Sequence, residues 1–102
     1  MQYVVLGTEL KINIHAEPID GLSMDDYDFS CAFFVYRNRT ASVSKSDMVR
    51  VDKDNYIAMI DTSVLGCGNL RIRMTAYVPD SNFKDMLRTE IAEARTDINL
   101  TN

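Results

Sequence analysis

Leu70-Arg71-Ile72-Arg73-Met74-Thr75-Ala76-Tyr77-Val78 alternates along its whole length and stops at Pro79-Asp80. Successive side chains of a β-strand point to opposite faces, so Leu70, Ile72, Met74, Ala76 and Val78 share one face. Arg71, Arg73, Thr75 and Tyr77 share the other. A helical period would scatter the same residues around the axis, so this stretch reads as a half-buried strand of an antiparallel sheet. Upstream, Asp61-Thr62-Ser63-Val64-Leu65-Gly66-Cys67-Gly68 reads as a loop whose glycines accept positive φ. Before it, Met48-Val49-Arg50-Val51, the polar Asp52-Lys53-Asp54-Asn55 and Tyr56-Ile57-Ala58-Met59-Ile60 spell strand, turn, strand: a hairpin.

Further towards the N-terminus, Phe29-Ser30-Cys31-Ala32-Phe33-Phe34-Val35-Tyr36 is the most β-prone run. Phe29, Cys31, Phe33 and Val35 lie on one face and Ala32, Phe34 and Tyr36 on the other, apolar on both. Such a strand is either central in a sandwich or covered by a partner. Leu10-Lys11-Ile12-Asn13-Ile14-His15-Ala16 alternates strictly and ends at Pro18 and Asp20-Gly21. Downstream of Val78 two readings stand. Phe83, Met86, Leu87, Ile91 and Ala94 fall at helical spacing, with Asp80 or Ser81 as cap, so a helix over 83–95 is one. A final strand, with Glu90, Ala92 and Ala94 on one face and Ile91 on the other, is the second. Residues 1–102 are therefore expected to form one all-β domain, an antiparallel β-sandwich or Ig-like barrel of about six to seven strands, with the option of a short C-terminal helix.

Composition narrows the function. With 46% hydrophobic and 25% charged residues in 102, the chain has ordinary globular make-up. The net charge of -4 and singly scattered Lys and Arg argue against nucleic acid as a partner. The N-terminal stretch has neither a basic region nor a long apolar run, so no export signal and no membrane partner are expected. Cys31 and Cys67 are the only cysteines and His15 the only histidine. A structural zinc site needs four N or S ligands, so no metal and no cofactor is expected. Cys31 lies in the most apolar strand, where a thiol is inert, and nothing near Cys67 supplies a base. Asp20, Asp25, Asp26 and Asp28 gather around Gly21 without the spacing of a calcium loop, which favours a solvated acidic stretch. No acid–base pair, nucleophile elbow or phosphate loop is present, so an enzyme is not expected.

The loop Asp61–Leu70, the runs Val78-Pro79-Asp80-Ser81-Asn82-Phe83 and Arg88-Thr89-Glu90-Ile91, and Ile19-Asp20-Gly21-Leu22 followed by Tyr27-Asp28-Phe29 resemble small β-sandwich virion proteins of Bacteroidales-infecting phages, the crAss-like phages among them. The resemblance implies an auxiliary capsid or head-fibre attachment protein without catalytic residues, located in the virion and assembled in the bacterial cytoplasm. It implies a final strand after the Pro-Asp loop. The chain departs from that pattern in carrying Met86-Leu87 where a glycine turn is usual.

The expected partners are the major capsid protein or other virion proteins, or a second copy of the chain. Contact is expected through apolar burial and strand-edge pairing, with Phe34, Tyr36, Tyr56 and Tyr77 as anchors and Arg71 and Arg73 as polar rim. The alternative is a small regulatory or inhibitor module acting on a soluble protein through the acidic stretch Asp25–Asp28.

Overall fold

The alternating stretch around Ile72 forms the longest antiparallel ladder of the molecule with the segment that follows it. A computed structural model describes residues 1–102. Its strands are β1 (Gln2–Val5), β2 (Glu9–His15), β3 (Asp28–Phe34), β4 (Thr40–Ser44), β5 (Val49–Asp52), β6 (Asn55–Asp61), β7 (Gly68–Pro79) and β8 (Leu87–Thr101). They make a five-stranded sheet in the order β1-β8-β7-β3-β4 and a three-stranded sheet in the order β2-β6-β5. The fold is all-β and sandwich-like, and only β1, running parallel to β8, breaks the antiparallel rule.

The inner faces follow the alternation. Phe29, Cys31 and Phe33 of β3 stand opposite Ala76, Met74 and Ile72 of β7. Ile14 of β2 pairs with Tyr56 of β6, which alternates inward with Ala58 and Ile60. Phe29 and Tyr56 join the two sheets, their rings perpendicular with centroids 5.3 Å apart. Each such ring removed from water contributes about 1.5–3 kcal/mol, which makes this contact a main tie between the layers. Loop residues complete the core: Met24, from a 3-10 turn capped by Ser23, and Leu65 are both fully buried. Thr62 is the one buried polar side chain; its hydroxyl donates to the Thr8 carbonyl at 2.8 Å and accepts from the Gly7 amide at 2.9 Å, joining two loops.

The expected hairpin is β5–β6, with Val49 opposite Ile57. Its turn is held by Asp52, whose carboxylate accepts from the Asp54 amide at 2.8 Å and the Asn55 side chain at 2.9 Å. Eight strands stand where six to seven were expected, because the short β1 and β4 carry little periodic signal.

The C-terminal helix is not formed. β7 offers a ladder from Pro79↔Leu87 to Gly68↔Leu100, and pairing along it satisfies far more backbone than a short isolated helix could. Asp80, read as a helix cap, instead accepts from the Asn82 amide at 3.0 Å in the loop joining β7 to β8. Met86 closes that loop at φ 61°, a conformation glycine adopts without strain. The long β7–β8 pair stretches the molecule to 47 × 28 × 22 Å, with a radius of gyration of 14.5 Å against about 13 Å for a compact chain of this size.

Candidate protein-binding surfaces

The residues singled out by sequence fall into three environments. Arg71, Arg73, Tyr77 and Phe34 lie on the outer face of the five-stranded sheet, because Phe34 pairs with Arg71 and Ala32 with Arg73. Tyr36 lies just past β3, 53% exposed, with its hydroxyl 3.3 Å from the Cys67 carbonyl and its ring against Gly66. Gly66 has φ +84°, and a Cβ there would meet that ring at 2.9 Å, so both geometry and space require glycine.

Two of the expected anchors are corrected. Tyr56 is 5% exposed and belongs to the core; the parity of β6 turns it inward with Ala58 and Ile60. Phe34, 3% exposed, is covered on the outer face by Arg37, whose guanidinium stands 5.1 Å above the ring centroid. The outer face of β3 is thus not an open apolar surface: Ser30 and Ala32 face Thr75 and Arg73.

An ion-pair cluster lies beside them. Glu93 of β8 accepts from Arg37 at 2.8 and 3.1 Å and from Arg73 at 2.8 Å. These hydrogen bonds, Arg37 first, hold the Glu93 carboxyl down at about 2. Arg73 is therefore already engaged within the chain, while Arg71 pairs across the ladder with Arg95.

The residues mentioned for their chemistry are separated. Burial pushes the Cys31 thiol up to about 12. Cys67 is half-buried, its Sγ 3.4 Å from the Asn102 side chain. His15 is exposed; its ring nitrogens lie 3.2 Å from Asn55 and from Glu17, and these contacts raise its pKa. The acidic stretch is dispersed over different partners. Asp20 pairs with Arg88 and Asp25 with Arg50 and Tyr56. Asp26 accepts from the Ser23 amide and Asp28 from the Phe29 amide.

An apolar groove that local periodicity does not reveal lies beside β8. β1 covers the outer edge of β8 only from Ile98 to Thr101, so the edge from Leu87 to Asp97 has no neighbouring strand. On the inner face of this segment Ala92 and Ala94 stand opposite Met74 and Ile72. These small side chains leave a groove of about 340 Å³ between the β7–β8 pair and the end of β2, where Ala16 and Ile19 form the far wall. Ile72 and Met74, expected inward, are consequently only half-buried, whereas Leu70, Ala76 and Val78 are fully inside. Glu17 and Glu90 stand at the mouth. Ile91, on the outer face, is 60% exposed. The signal available in the sequence was the alternation of Glu90, Ala92 and Ala94 against Ile91, readable only once residues 87–97 are known to be strand.

Comparison with family models, with curated proteins and with solved structures returns no match.

Proposed function

We propose that this chain is a non-enzymatic binding module that works as a structural component of a tailed-phage particle, an auxiliary capsid or head-fibre attachment protein docked on the major capsid protein or another virion protein. The observation that supports binding is the unpaired edge of β8 from Leu87 to Asp97 lying beside an apolar groove. Exposed strand edges are ready templates for another chain, and proteins that remain alone cover or interrupt them. The particle assignment rests on the resemblance of the loop Asp61–Leu70 and the run Val78–Phe83 to small virion proteins. The regulatory alternative has weaker support, because Asp25, the first residue of its acidic stretch, is occupied by Arg50 and Tyr56.

Mass spectrometry of gradient-purified particles from a lysate of the source tests the assignment, with copy number scaled to the major shell protein. Recovery in fixed stoichiometry is expected. A chain confined to the soluble fraction would overturn the particle reading.

A further inference from the structure

We infer that the β8 edge and its groove accept an extended segment of a different protein, one with bulky apolar side chains at alternate positions and a basic residue at one end. This rests on the binding-module reading and names the chemistry of the partner.

Three observations lead there. First, from Leu87 to Arg95 the backbone keeps an unbroken register with β7 and contains neither proline nor glycine, either of which would interrupt a further ladder. Its outward amides and carbonyls are free to continue the ladder that β7 begins. β1 bounds the site at Ile98, so the donated strand is limited to about nine or ten residues. Second, an added strand projects every other side chain inward, beside Ala92 and Ala94 at the groove and then Glu90 and Arg88 towards the start of β8. The missing volume lies where those side chains would enter, against Ile72, Met74 and Ile19. Third, the mouth is acidic. Glu17 and Glu90 have side chains 87% and 49% exposed; Glu17 contacts His15, and Glu90 shares Arg88 with Asp20 and Asp80, so carboxylates outnumber cations there. A lysine or arginine on the incoming strand answers that charge.

A second copy fits less well. Two β8 edges related by a two-fold axis would offer each other the same small Ala92 and Ala94 and leave the grooves unfilled.

The test uses the full chain, labelled with ¹⁵N, and a synthetic library of about nine-residue peptides. Alternate positions carry Val, Leu, Ile or Phe, the intervening ones Thr, with one terminal Lys. Binding is expected to slow amide exchange on the free edge of residues 88–96. Scrambling the alternation, or Lys→Glu in the peptide, is expected to weaken binding about tenfold. N-methylation of one alternate set of peptide amides abolishes binding and that of the other set does not, a signature of strand pairing. Ala94→Lys, at an exposed position, weakens binding without changing the thermal transition. The inference is overturned if no library member protects the edge, if scrambled peptides bind equally, or if the free protein sediments as a dimer with that edge already protected. Recovery of the chain in particles alongside any of these results would leave the structural role standing and remove only the strand-acceptor site. Peptide binding by a chain absent from particles would do the reverse.

Discussion

The hydroxyl of Tyr56 donates to Asp25 at 2.6 Å from a ring that is 5% exposed, so one side chain joins core packing to a surface ion pair. Removing only the hydroxyl leaves the Phe29 contact and takes away a hydrogen bond to a charged acceptor. Tyr56→Phe is expected to cost about 1.5 kcal/mol, measured as a shift of the urea midpoint at unchanged slope. The two cysteines supply a second test at this scale. Cys31 is 1% exposed with its thiol pushed up to about 12, whereas Cys67 sits half-buried in the loop before β7. A thiol reagent at pH 8 should label Cys67 in the native protein and Cys31 only after unfolding. Equal labelling rates would contradict the packing of β3. Cys31 was readable from its neighbours Phe29 and Phe33, because strand parity alone turns all three to one face. The same parity, applied to Tyr56 with Ala58 and Ile60, turns the expected anchor Tyr56 inward.

Among the elements, β8 has the most divided character. Its last residues lie between β7 and β1, while its first part is paired on one side only. Arg88 fastens that first part: its guanidinium reaches Asp20 in the turn after β2 and Asp80 in the loop after β7, with Glu90 on Nε. The network joins the half-buried Arg88 to Asp80, only 16% exposed, so Arg88→Met is expected to loosen this corner locally. Faster amide exchange should follow in the 80–86 loop, with little change in β3. Uniform acceleration over the whole molecule would mean that the network acts on global stability instead. The helix expected over 83–95 fails for a reason of the same scale. Phe83, Met86 and Ile91 have helical spacing, but local spacing carries no information about β7, whose ladder lies ready from Leu87 onward.

For the molecule as a whole, pH tests how far ion pairs hold the sheets. The Glu93 carboxyl is lowered from 4.5 to about 2, chiefly by hydrogen bonds from Arg37 and then Arg73, and Asp25 is held well below the usual range by Arg50 and Tyr56. A carboxyl depressed in the folded state adds stability that is complete above its unfolded value and is lost as pH falls through its folded value. Stability should therefore fall from about pH 4.5 towards pH 2, with a shallower fall in Glu93→Gln, by urea titration at each pH. The raised pKa of His15 adds stability below pH 6.5 that is lost as pH rises through its folded value. The sequence by itself determined the all-β class, the faces of β2 and β7 and the hairpin β5–β6, because strand alternation and turn chemistry are local properties of neighbouring residues. Only the tertiary structure decided that residues 87–101 are strand, that Arg37 covers Phe34, and that β1 stops at Ile98 so that the edge and groove of β8 stay open. Those outcomes depend on which distant segments meet, and pairing partners are not written into the period of either segment alone.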